Sequence, residues 1–346
     1  MRTSVLYQAS FAALAASMTL SASVGHAQSA PAVKEFRIME AGGPSGDSVE
    51  QAYIKPFTAR TGIKVTRESP ASAGKLQAMV QSKNITATLV ELGATDTAAM
   101  RALGMLEPLD WAAINPDPIY PEARQPDAFG WQYSSTLMAW AKGTKPPKTW
   151  ADFWNVKDFP GKRALPDYPA ASLAIALLAD GVAPDKLFPL DIDRAFASLQ
   201  KIKGSVAVWW KAGAQPPQLL EDKEVSYSVA WSGRVIGNPK IEYTYNQGLL
   251  SLTTFVVPKG ADPAAKAAAM GLLHEASKLQ NQLVAANIIP YTGASPGIEK
   301  LVPQERINDF PTSEANKKVQ VPTDATWTAA NAALLQKRWQ EFKLGL

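Results

Sequence analysis

Apolar and polar residues alternate over 35–40, where Phe36 and Ile38 interleave with Arg37 and Glu40, and this period of two predicts a strand. The same reasoning predicts strands over 63–66, 87–92, 131–140, 163–165, 206–210, 225–231 and 249–258. Between them lie segments with helix signals. Asp47 and Ser48 offer N-cap chemistry for a helix running to about Phe57 and ending near Gly62. Short helices follow at 97–103, stopped by Gly104, and at 170–179, stopped by Gly181. Thr149 with Asp152 forms an acidic variant of the capping box, Asp191 caps a helix over 192–202, and Asp262 caps one with Pro263 in its first turn. A last helix over 324–342 carries a stripe of Trp327, Ala330, Leu334, Trp339 and Phe342, expected to pack on a sheet.

Strand, turn, helix, strand is the repeating order, which is that of a parallel α/β sheet. Two predicted strands, 131–140 and 249–258, are long enough to cross between domains. Two loops sit where such sheets bind ligands, at the carboxyl ends of strands: Gly42 to Ser48, and Gly93 to Asp96. The first precedes a helix start, where free N–H groups and the positive dipole end favour a carboxylate or another polar anion.

The first residues change the picture of where the chain works. A short basic start at Arg2, an apolar run from Val5 to Leu20, and small residues at Gly25 and Ala27 predict a secretory signal peptide over 1–27, cut after Ala27. The run is broken by Gln8, Ser10, Ser17 and Thr19, too polar and too short for a span of about 20 apolar residues. With no cysteine in the chain there is neither a disulfide nor a lipid-attachment residue, so the expected product is unanchored and periplasmic. The remainder, 28–346, is long enough for two domains. The 35 basic and 31 acidic residues are interspersed without runs, which argues against a nucleic-acid surface.

Catalytic chemistry is poorly signalled. Gly293-Ala294-Ser295-Pro296-Gly297 matches the G-x-S-x-G nucleophile elbow in letters only. Pro290 and Pro296 spoil the flanking strand and helix, Pro296 lacks the N–H that an oxyanion hole needs, and no histidine follows Ser295. Past the signal segment the one histidine, His274, lies inside an apolar helix, and there is no glycine-rich nucleotide motif. Tyr243 and Tyr245 share a strand face and could be read as iron ligands, although aromatics so spaced are more often packing. No cofactor, metal or catalytic residue is expected, and a preformed binding cleft is.

Several stretches carry a family resemblance: 57–65 (FTARTGIKV), 104–110 (GMLEPLD), 148–154 (KTWADFW), 158–163 (DFPGKR), 189–196 (PLDIDRAF) and 230–234 (AWSGR). In this order the chain resembles the periplasmic solute-binding proteins of ABC importers, of the spermidine/putrescine type. The resemblance implies an α/β fold of two lobes, each a mixed sheet flanked by helices, with a ligand cleft between them. It implies lobe 1 over 34–138 plus 259–305 and lobe 2 over 139–258 plus 306–346. A permease and its ATPase at the inner membrane, and a monomeric state, are further expectations.

The residues that would face the cleft depart from a polyamine site. Tyr168, Ala171 and Thr253 stand where polyamine binders carry acids, and Ser251 stands at an aromatic position, while Trp231 keeps its place. The expected contacts are Gly42, Gly43, Ser45, Asp47, Ser48, Thr95, Trp131, Tyr133, Ser134, Tyr168, Trp210, Trp231, Arg234, Ser251 and Thr253. Lys211 and Arg234 could offer positive charge. The expected ligand is therefore a small polar solute, anionic or zwitterionic, held by loop N–H groups and hydroxyls and walled by tryptophan. A polyamine is the alternative ligand. An extracytoplasmic hydrolase and a ligand-sensing subunit are alternatives of other classes.

Overall fold

A computed structural model describes Met1 and residues 33–345; apart from Met1, the export signal expected over 1–27 lies outside the described residues. Eight strands form the spine: β1 (Glu35–Met39), β2 (Lys64–Glu68), β3 (Leu89–Gly93), β4 (Ala128–Ala141), β5 (Arg163–Pro166), β6 (Val206–Trp210), β7 (Tyr227–Trp231) and β8 (Ile241–Val256). Their spatial order is β2-β1-β3-β8-β4-β7-β5-β6. β2, β1 and β3 are parallel, and so are β7, β5 and β6. Between these groups runs the antiparallel pair of β4 and β8, 14 and 16 residues long, flanked by antiparallel contacts to β3 and β7.

The core is divided along that central pair. Phe36, Ile38, Tyr53, Phe57, Phe129, Trp131 and Phe255 pack in one apolar cluster. Met138, Trp140, Trp150, Phe153, Leu173, Tyr227, Leu249, Trp339 and Phe342 pack in another. The changeover falls between Trp131 and Met138 on β4 and between Leu249 and Phe255 on β8. Each large side chain fully buried in these clusters contributes about 2 kcal/mol. The register of the β4–β8 ladder slips twice, between Gly130 and Gln132 and between Thr136 and Met138. Such bulges bend a strand pair and sharpen its twist.

Most capping signals are present as read. Thr149 and Asp152 form the reciprocal capping box, and Asp191 and Asp262 each accept a first-turn N–H. The C-terminal helix spans Ala325–Leu344, but its buried face carries Leu335 with Trp339 and Phe342, whereas Leu334 is 46% exposed. Leu335, Trp339 and Phe342 keep helical spacing; the expected stripe holds at Trp339 and Phe342 and departs at Leu334.

The rejected catalytic letters are structural. Ser295 is buried, its Oγ donates to the Ser277 carbonyl, and its N–H donates to Gln282 Oε1. His274 Nδ1 lies 2.9 Å from the Asn115 carbonyl oxygen. Tyr243 and Tyr245 both turn their hydroxyls to Asp309, on its carboxylate and its carbonyl. Among the described residues no helix is long and apolar enough to cross a membrane.

Candidate functional site

Where the two parallel groups meet β4 and β8, a cleft of about 560 Å³ opens. Its floor is the middle of the central pair: Gln132 and Ser134 from β4, Ser251 and Thr253 from β8, with Ser134 directly opposite Ser251. One wall comes from the carboxyl ends of β1 and β3 and the helix starts beyond them, bringing Ala41, Ser45, Glu91, Thr95 and Asp96. The other comes from the ends of β5 and β7, bringing Tyr168, Trp231 and Arg234. Tyr291 closes one side. A larger, open hollow of about 740 Å³ lies beside Phe188 and Pro322, but it holds little chemistry. Its carboxylates are Asp185 and Asp324, and Asp324 is committed to capping the C-terminal helix.

The aromatic wall is built in two layers. Tyr168 stacks on Trp231 with ring centroids 6.1 Å apart and 25° between planes. Trp210 stands edge-on beneath Trp231, 5.5 Å away, and donates its Nε1 proton to the Val229 carbonyl at 2.9 Å. A Cβ on Gly213 would come within 2.4 Å of Trp231, so only glycine lets that backbone lie against the indole. Tyr168 is held by a hydrogen bond from its hydroxyl to the Lys211 carbonyl.

Arg234 supplies the positive end. It sits on the short helix Ser232–Val235 that follows β7, and its Nε is buried without a hydrogen-bond partner among the described residues. A guanidinium leaves such a donor unfilled only at a cost of about 1–3 kcal/mol, which an arriving carboxylate would offset. Tyr291 lies beside it. Burial raises the Tyr291 phenol to about 12, against the pull of the Arg234 charge. A Cβ on Gly233 would meet the Tyr291 ring at 2.5 Å, which fixes how the ring and this short helix pack.

The opposite wall differs from expectation. The glycine-rich loop is not a loop: the helix already starts at Gly43, with Gly42 as its N-cap and Pro44 in the first turn, where proline's fixed φ and missing N–H fit. Asp47 therefore sits inside the helix rather than at its cap; it points outward, 66% exposed and 3.9 Å from Arg67. Ser48 is fully buried and bonds the Ser45 carbonyl at 2.6 Å. The amide of Ala41 donates to Glu91 Oε2 at 2.9 Å and that of Gly42 to Glu40 Oε2. Glu40 is itself buried and paired with Arg67 at 3.1 Å. The amides of Ala41 and Gly42, just before the first helical residue, are thus already satisfied by carboxylates. Burial pushes the Glu91 carboxyl up to about 7, with the nearby Glu40 charge adding to the rise and the Ala41 N–H opposing it. Asp96 is also raised by desolvation.

Of the expected contacts, the cleft gathers Ser45, Thr95, Ser134, Tyr168, Trp231, Arg234, Ser251 and Thr253. Gly42, Gly43, Asp47 and Ser48 do not line it. Nor do three aromatics, which were drawn into the core by their apolar area. Trp131 stacks on Phe255 at 5.1 Å, Tyr133 stands edge-on to Tyr120 at 5.6 Å, and Trp210 underlies Trp231. Glu91, Gln132 and Tyr291 line the cleft and were not anticipated, and Asp96 lines it from the loop expected to meet a ligand. For Glu91 a signal was available, since a lone acid inside the apolar run Leu89-Val90-Glu91-Leu92 cannot be there for packing.

Comparison with known proteins agrees with this architecture. A family model described as bacterial extracellular solute-binding protein matches residues 52–332. The γ-aminobutyric acid-binding protein of Pseudomonas aeruginosa is 32% identical over 319 residues, covering 88% of this chain and 90% of the relative. A crystal structure of an ABC transporter substrate-binding protein from Bradyrhizobium japonicum superimposes with a TM-score of 0.83 at 33% identity, covering 89% of this chain and 99% of the other. The Atu4243–GABA receptor structure superimposes with a TM-score of 0.82 at 30% identity, covering 89% and 97%.

Proposed function

The chain belongs to the bacterial extracellular solute-binding proteins and is the substrate-binding, non-enzymatic component of an ABC importer, and from that premise we propose that its solute is a small ω-amino acid, γ-aminobutyrate or a close analogue. The observation that carries this reading is the buried, unpartnered Nε of Arg234 beside a Trp231–Tyr168 wall. A carboxylate fills the guanidinium's open donor, the short methylene chain lies on the indole, and an ammonium is left to the acidic side of the cleft. The relatives named for γ-aminobutyrate support the same chemistry.

A polyamine is the weaker reading. Its two ammonium ends each need an anionic partner, and the Arg234 charge in the cleft repels an ammonium.

Capture proceeds by closure of the two lobes over the solute. In this reading the two apolar clusters are the lobe cores, with 34–138 and 259–305 in the first lobe and 139–258 and 306–346 in the second, the end of β8 packing with the first. The protein is monomeric, is exported to the periplasm by cleavage of 1–27, presents its closed form to the permease and has no nucleic-acid partner.

The test is a thermal-shift and calorimetric screen of the purified protein with γ-aminobutyrate, putrescine, spermidine and glutarate. A ligand at 100 times its Kd adds about 2.7 kcal/mol of stability, an easily read shift. γ-Aminobutyrate should give the largest shift; a shift with polyamines alone would overturn the reading.

A further inference from the structure

The two walls of the cleft carry opposite charge, and the acidic one has a single carboxylate that both faces the cleft and is anchored. Glu91 lies in the middle of β3, is 7% exposed and lines the cleft. Its Oε2 is held by the Ala41 N–H at 2.9 Å, while Oε1 has no hydrogen-bond partner among the described residues. The other carboxylates nearby are differently placed. Glu40 is committed to Arg67 and the Gly42 amide, and Asp96 is exposed at the rim.

We propose that Glu91 is the specificity-determining residue of the acidic wall: it accepts the ammonium of the solute and excludes a second carboxylate, so that the cleft takes an ω-amino acid and rejects a dicarboxylate of equal length. This rests on the ω-amino acid reading above and gives the solute its orientation, carboxylate toward Arg234 and ammonium toward Glu91.

The physical argument has three parts. Glu91 takes up the Ala41 N–H, a donor at the helix start that could otherwise have greeted an anion. It leaves one oxygen open toward the cleft, where a carboxylate repels an added negative charge and pairs with a positive one. Finally, the groups that face it from every side set its charge. Glu40 at the end of β1 raises its affinity for a proton, while Arg67 on β2 is spent on Glu40. Tyr291, neutral at pH 7, feels both Arg234 and Glu91. With the carboxyl near 7 when no solute is bound, an arriving ammonium should drive off the Glu91 proton.

Calorimetry at pH 7 in buffers of different ionisation enthalpy, with γ-aminobutyrate and glutarate as probes, tests the proposal. The expected result is glutarate at least 100-fold weaker than γ-aminobutyrate and a buffer-dependent enthalpy reporting proton release. In Glu91→Gln, γ-aminobutyrate should weaken about tenfold or more, the discrimination should shrink, and the buffer dependence should vanish. Glu91→Asp keeps the charge and should keep the discrimination, which guards against a variant that merely folds poorly. An unchanged ratio of the two affinities with unchanged proton release in Glu91→Gln would overturn the filter and leave the ω-amino acid reading standing. Tight glutarate binding with no γ-aminobutyrate binding in the unmodified protein would sink both.

Discussion

The end of β1 and the end of β7 hold equivalent places in the fold. Each is a strand terminus running into a helix start at the cleft, and each was a reasonable place for an anion. They differ in what the neighbouring side chains do. At the β1 end, Glu91 and Glu40 take up the amides of Ala41 and Gly42. At the β7 end, Arg234 keeps a buried Nε donor without a hydrogen-bond partner among the described residues. Topology nominates both ends as binding edges, but the sign of the charge received is decided by the side chains gathered there, Glu40 and Glu91 at one end and Arg234 at the other.

Removing the free donor is the most direct way to break the contrast. Arg234→Ala should cost at least 100-fold in γ-aminobutyrate affinity by calorimetry with only a modest change in melting temperature, because Nε has no hydrogen-bond partner among the described residues and the loss falls on the contact with Tyr291. Unfolding of this variant would show that Arg234 holds the wall rather than the solute. Next in size, Trp231→Ala should weaken binding about tenfold and also destabilise the chain by about 3 kcal/mol in denaturant unfolding, since Trp210 and Tyr168 both lose the ring they pack on. Gly213→Ala pushes on the same ring from behind and should reduce affinity severalfold with a smaller loss of stability.

The acidic end has its own signature in the absence of solute. The folded Glu91 carboxyl lies near 7, above its ordinary value of 4.5, so the folded chain holds a proton that the unfolded chain has lost. Its contribution is full below about pH 4.5 and is lost as pH rises through about 7. Glu91→Gln should therefore flatten the fall in stability between those pH values and make the empty protein more stable at pH 8, measured by urea unfolding. The smallest effect expected is Tyr168→Phe, which loses the hydroxyl bond to Lys211 but keeps the stacked ring, and should change affinity less than threefold.

The same contrast marks where the sequence was readable. The helix Ile192–Ile202 and the strand Val206–Trp210 fall at the residues that periodicity and capping chemistry assign them. Local rules suffice there, because Asp191 and the apolar face act within a few residues. Gly42 to Ser48 misled because glycine and proline signal a loop locally, while the same residues also make a good first helical turn. Trp131 and Tyr133 misled because alternation assigns a strand face without saying which face meets a core and which a cleft. Glu91 depends on Ala41, 50 positions away, and nothing local to either residue announces the pairing. The helix Ala73–Ser82 went unread although Ser72 caps it, since Glu68 to Gly74 reads as an irregular stretch.

The paired slips in the β4–β8 ladder have a mechanical consequence. They bracket Gln132 to Thr136, a short stretch that stays in register with Leu249 to Thr253. If flexing concentrates at the two slips, this stretch behaves as a stationary tile on which either half can pivot. Ser134 and Ser251 stand on the tile, so a guest resting against them keeps its seat while the walls swing in from both sides.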